Sequence, residues 1–180
     1  LVIPFRRVRS LIAIITSFTI AHSVTLIASV FDFAPDELWL PPLVEMLIAL
    51  SIVYMALENI IGTRLRKRWL LAFGFGLVHG FGFSFALSET LQFAGGHLFT
   101  SLLSFNVGVE LGQLLVILAF VPGLALLFRF VVAERVGAII LSALIAHTAW
   151  HWMIDRGSEL LQFQFRLPIF DSTLLASAMQ

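Results

Sequence analysis

Long apolar runs broken by short polar clusters dominate the chain. Five stretches, 10–31, 41–61, 69–91, 99–128 and 136–154, each approach or exceed the roughly 20 mainly apolar residues that one membrane crossing requires. The breaks carry turn and surface chemistry. The first holds Asp32, Pro35, Asp36, Glu37, Pro41 and Pro42, the second Arg64, Arg66, Lys67 and Arg68, the third Gly95-Gly96, and the fourth Arg129, Glu134 and Arg135. The pattern predicts an all-α, polytopic helical membrane protein with about five transmembrane helices over residues 1–155. A mixed stretch at 156–180 reads as an extracytoplasmic or interfacial tail. No repeat and no second, soluble domain is visible.

Composition supports this reading. Hydrophobic residues make up 59% of the 180 residues, charged residues 12%, and mean hydropathy is +1.00, which excludes an ordinary soluble domain. Net charge is zero, so no overall field argues for nucleic acid. The absence of cysteine excludes disulfides, thiolate metal sites and cysteine catalysis. Leu1-Val2-Ile3-Pro4-Phe5 reads as the end of an apolar segment, which raises the expectation of a longer parent chain.

Where the charges fall gives the expected orientation. With five spans, nine of the eleven Lys and Arg lie on one side: Arg6, Arg7, Arg9, the 64–68 cluster, Arg129 and Arg135. Arg156 and Arg166 fall on the other. Basic residues stay on the cytoplasmic side, so the first residues are expected inside and the C-terminus outside. Trp39, Trp69, Trp150 and Trp152 sit at or toward span ends, as interfacial indoles do.

Polar groups inside the spans carry the candidate chemistry, because an ionisable side chain at mid-bilayer costs at least ~2.5 kcal/mol on insertion scales. Counting about 1.5 Å per residue, His22, His79, Glu110 and His147 each fall some 15–18 Å from a span end, near the middle of the apolar layer. Their polar neighbours recur at helical spacing: Thr19, His22, Thr25 and Ser29; Asn106, Glu110 and Gln113; His147, His151 and Asp155. Lipid cannot satisfy such stripes, so they are expected to face inward. Gly76 with Gly80, and Gly108 with Gly112, form GxxxG spacings that let helices approach closely. The first of these brackets His79 and the second Glu110.

Plainer roles stand beside each of these. A buried histidine serves as a packing element as well as a ligand, and His97 falls in an outer loop. His147 and His151 suit a metal and equally an interhelical hydrogen-bond pair. Glu58 and Asn59 line an inner vestibule or simply reach the cytoplasmic surface.

The strings FTIAHSVTL (18–26), VEMLIALSIVYMALENI (44–60), FGLVHGFGF (75–83), FNVGVELGQL (105–114) and SALIAHTAWHWM (142–153) together resemble the HupE/UreJ family of bacterial membrane proteins. The likeness is to its subgroup with an extracytoplasmic N-terminal region. The resemblance implies a multi-pass protein of the bacterial cytoplasmic (inner) membrane that carries nickel or cobalt. It also implies metalloenzyme maturation systems, such as those of hydrogenase and urease, as partners. The positions matching the family motifs are His22, Glu58, Asn59, His79, Asn106, Glu110 and Gln113. Family members begin with a further span bearing a histidine and an Asp-His pair, which does not precede Leu1, so a first transmembrane helix is expected to be lacking here.

Ligand chemistry agrees with that expectation. Imidazole with carboxylate and amide oxygen suits first-row divalent ions, Ni or Co and also Cu or Zn, whereas Mg or Ca would be caged by oxygen alone. The reading is a permease, not an enzyme, whose substrate metal meets His22, His79 and Glu110 near the midplane. His147 and His151 would form a second or exit-side pair. Asn106 and Gln113 would steady the ligands, with Glu58 and Asn59 on the pathway. Affinity is expected to fall as the histidines protonate near about pH 6. The alternative is a non-transporting accessory subunit that assists metalloenzyme assembly. A membrane-embedded enzyme is a third reading, but no HExxH occurs and no serine is paired with histidine by a motif; haem ligation by two midplane histidines stays open.

Overall fold

A computed structural model describes residues 8–31, 37–62, 68–91 and 98–163. Every regular element among them is an α-helix: α1 (Val8–Val30), α2 (Leu40–Ile61), α3 (Arg68–Leu91), α4 (Leu98–Phe130) and α5 (Glu134–Leu160). The five apolar runs are these five helices. Four of them, α1, α2, α4 and α5, are long and apolar enough to cross a membrane. The fifth, α3, has no Asp, Glu, Lys or Arg from Trp69 to Ser88.

The helix ends follow from local chemistry. Prolines in the first turn of α2 occupy positions whose N–H groups have no helical partner. Gly62 ends the same helix in the left-handed conformation, at φ 80°, and its N–H donates to the Glu58 carbonyl. Arg135, in the first turn of α5, donates to the carbonyls of Asn59 and Ile60, so a cation caps the negative end of α2. Helix α5 continues to Leu160, beyond the expected boundary at 155. His97 and residues 164–180 lie outside the described residues.

Packing is uneven. Helix α1 lies chiefly against α3, and α2 against α5, with a smaller contact between α2 and α3 joining the two pairs. Helix α4 touches α1 and α5 lightly, and of its described residues only Leu102 is buried. The α1–α3 contact is made possible by glycine. A Cβ on Gly76 would stand 2.5 Å from the Phe18 carbonyl oxygen and 2.9 Å from the Ala21 Cβ. One on Gly80 would strike Thr25 Oγ1 and the His22 carbonyl. The second GxxxG does no such work, since a Cβ on Gly108 or Gly112 meets nothing within 4 Å.

Hydroxyls within the spans satisfy themselves locally. Thr25, Ser29, Ser51 and Ser84 each donate to a carbonyl three or four residues earlier. At the end opposite Arg135, Arg156 of α5 lies 2.8 Å from Glu45 of α2 and 2.7 Å from Glu159. The approach of Nε to Glu45 is an ion pair without the alignment of a good hydrogen bond.

Candidate functional site

His22 is the most enclosed polar side chain, with 0% of its surface exposed. The Phe18 ring lies nearly parallel to it at 6.1 Å, and the Phe83 ring meets it edge-on at 5.1 Å. Neither ring nitrogen has a hydrogen-bond partner among the described residues. Leaving a buried donor or acceptor unmade costs about 1–3 kcal/mol. His22 is therefore retained at an energetic cost that packing does not explain.

His79 lies across the same seam. The close approach at Gly80 brings α3 onto the His22 backbone, and Phe18 meets the His79 ring edge-on at 5.2 Å, so one phenylalanine touches both imidazoles. The Phe75 carbonyl is 2.7 Å from His79 Nδ1. A carbonyl can only accept, so Nδ1 carries the proton, and when the ring is neutral the lone pair is on Nε2. Metal-binding histidines are commonly oriented in this way, with the other nitrogen donating to a backbone carbonyl. His79 also borders a cavity of about 270 Å³ between α2, α3 and α5, which Ser51, Asn59 and Ser142 line as well.

Helix α4 is registered on α1 by two polar contacts. The Ser23 hydroxyl is 2.7 Å from Asn106 Oδ1 and 2.8 Å from the Thr19 carbonyl, so its single proton serves one of two acceptors. Asn106 in turn donates to the Leu102 carbonyl, and Thr19 makes a long, 3.4 Å contact to Gln113. These pairs set Glu110 level with His22. At about 100° per residue, Glu110 is turned roughly 40° from Asn106 and roughly 60° from Gln113, and its side chain is exposed.

His147 and His151 are adjacent on α5, their rings edge-to-face at 4.6 Å, and both are exposed. The buried face of α5, Gly137, Ala138, Ser142 and Ala149, is a different one. The expected inward direction of this stripe is thus corrected: the buried face of α5 carries small residues, which allow helices to approach closely. The compact set of His22, His79 and Glu110 is likewise not assembled. Among the described residues no three His, Asp or Glu side chains gather closely enough to hold a metal ion. The physical reason is that α1 spends its tightest face on α3, leaving α4 at its margin.

Glu58 is 4% exposed, and its Oε1 accepts from Arg68 at 2.8 Å. Its neighbour Asn59 borders the His79 cavity. Several partners were not evident from sequence alone: Phe18 and Phe83 around His22, Ser23 against Asn106, and Arg68 on Glu58. The aromatic pair had a signal, since Phe18 precedes His22 by four residues and Phe83 follows His79 by four.

A protein-family model described as HupE / UreJ protein matches residues 1–156. No curated protein and no solved structure matches the chain.

Proposed function

Because the chain belongs to the HupE/UreJ family of membrane proteins, we propose that it is a permease for a divalent transition metal of the nickel or cobalt type, with Cu or Zn as chemically acceptable substitutes. The observation that carries the proposal is the buried His22, with neither ring nitrogen partnered among the described residues, beside a His79 whose Nδ1 faces the Phe75 carbonyl. Two neutral imidazoles suit a first-row divalent ion. A span interior keeps such groups at a cost that a passing cation offsets.

In this reading the metal sheds water between α1 and α3 and is held by His22 and His79. Glu110 supplies a carboxylate when α4, the helix least held by packing, turns toward α1. Asn106 and Gln113 keep α4 in register during that turn through Ser23 and Thr19. His147 and His151 form a second pair on α5. The cavity from His79 to Asn59 leads to the end rich in arginine, which the positive-inside tendency assigns to the cytoplasm. The membrane is then the bacterial inner membrane, and metalloenzyme maturation proteins are the expected recipients.

The test is accumulation of radioactive Ni²⁺ or Co²⁺ by cells expressing the chain within its complete gene product. His22→Ala and His79→Ala should each reduce uptake at least tenfold while the protein still reaches the membrane. Metal binding without any rise in accumulation would replace the permease with the accessory-subunit reading. Unchanged uptake in both variants would remove the site.

A further inference from the structure

The two exposed histidines of α5 belong to a longer pattern. Ile140, Leu144, His147, His151, Ile154 and Ser158 are all exposed, and they follow one another at steps of four, three, four, three and four residues. Those are the steps of a seam along which two helices supercoil. At about 100° per residue the six fall within roughly 40° of one line along α5. Ala138, Ser142 and Ala149, buried residues of the same helix, lie roughly 160–180° from that line. Helix α5 rests chiefly on α2, and since all six residues are exposed, no described part of the chain covers the seam. His147 and His151 lie roughly 20 and 25 Å along the helix from Glu134, within an apolar layer about 30 Å thick. Among the described residues the two imidazoles meet only edge-to-face, 4.6 Å between ring centroids, and neither makes a hydrogen bond. Hydrocarbon leaves their polar atoms unsatisfied.

We propose that His147 and His151 are half of a metal site completed by a second copy of this chain, in which two parallel α5 helices hold one divalent ion of tetrahedral preference, such as Zn²⁺, between four imidazoles. The proposal rests on the reading of this pair as metal ligands and does not depend on transport. Every copy takes the orientation that its basic loops dictate, so two copies related by a two-fold axis along the membrane normal lie parallel. In a parallel seam each position faces its own counterpart, which sets the two His147 rings and the two His151 rings in successive layers. Histidines four residues apart present two nitrogens from one face of a helix, half of a four-coordinate shell. One chain gathers no third His, Asp or Glu beside them among the described residues, so the shell is incomplete without the second copy. Asp155, exposed and one turn beyond His151, brings one negative charge from each copy, which together match the charge of the ion. Ile140, Leu144 and Ile154 alone do not favour protein over lipid as a neighbour. The imidazoles do, because only a polar group or a cation relieves them.

The test uses the full chain in density-matched detergent micelles, with Zn²⁺ as probe and Mg²⁺ as the control ion, read by sedimentation equilibrium. Zn²⁺ should convert monomer to dimer at one ion per two chains, a chelator should reverse the change, and Mg²⁺ should have no effect. H147A/H151A should lose the response, whereas H22A/H79A should keep it. The contact face is read separately, because the chain has no cysteine. Under mild oxidation in Zn²⁺, Ile140→Cys should form a disulfide-linked dimer, and Ile145→Cys, equally exposed but turned roughly 140° around α5, should not. A parent that stays monomeric in Zn²⁺ or dimerises equally without it, an undiminished response in H147A/H151A, or equal crosslinking of the two cysteine variants overturns the shared site and leaves the His22–His79 reading standing. Should H147A/H151A not accumulate, His147→Gln alone, which leaves the site two of its four ligands, is expected to weaken Zn²⁺-dependent dimerisation at least tenfold, and no weakening there overturns the proposal.

Discussion

Replacing Gly76 by alanine adds one methyl group where α3 lies close against the backbone of α1. The new Cβ would stand 2.5 Å from the Phe18 carbonyl oxygen and 2.9 Å from the Ala21 Cβ. Ordinary contact begins near 3.5 Å, so the helices must separate locally by roughly 1 Å. The obstacle is backbone, which cannot rotate away, and overpacking of this kind costs about 1–3 kcal/mol. The better helix propensity of alanine returns at most about 1 kcal/mol. The expected net effect is a destabilisation of about 1–2 kcal/mol. Gly112→Ala is the matched control, with the same residue change in the same GxxxG spacing but nothing within 4 Å. It should be neutral or stabilising by up to about 1 kcal/mol. Both variants are compared by reversible unfolding in mixed micelles, with Ni²⁺ binding measured alongside, since a 1 Å separation also parts His22 from His79. Equal effects of the two substitutions, or a destabilisation at Gly112 alone, would refute the assignment of the α1–α3 seam as the centre of packing.

Three further outcomes follow from the same geometry. The chain has no cysteine, so the S23C/N106C pair should crosslink with little background and S23C/G108C should not, as read by gel mobility after mild oxidation. Glu58→Gln breaks a buried ion pair and should cost about 3 kcal/mol or more, whereas Glu45→Gln, at a half-exposed pair, should cost about 1 kcal/mol or less, both read by unfolding. Replacing Asn106 by alanine removes one polar tie between α4 and α1 and should cost about 0.6 kcal/mol, the average for interhelical hydrogen bonds in membranes, and no more than about 1.7 kcal/mol; a double-mutant cycle with Ser23→Ala should recover that coupling.

The five helices, their order and the residues that carry polar groups at mid-depth were all determined by the sequence alone. Hydropathy answers to solvent, and a run of some twenty apolar residues has one stable form in lipid. The sequence also marked His22 and His79 as costly residues, because the expense of a polar ring in hydrocarbon does not depend on which helix lies beside it. The choice of neighbours belonged to the tertiary structure. Two identical GxxxG spacings were read alike, yet Gly76 and Gly80 receive α1 while Gly108 and Gly112 stand open. Asn106, Glu110 and Gln113 share a stripe, yet the two amides tie to α1 and the carboxylate lies exposed at the margin. The stripe of His147 and His151 was expected inside and lies on the exposed face of α5. Lipid tails are as apolar as the side chains they meet, so the periodicity of a span does not reveal which face will meet protein. That selection is made by the shapes of helices more than fifty residues apart in the chain, where Ala21 fits against Gly76 and Thr25 against Gly80.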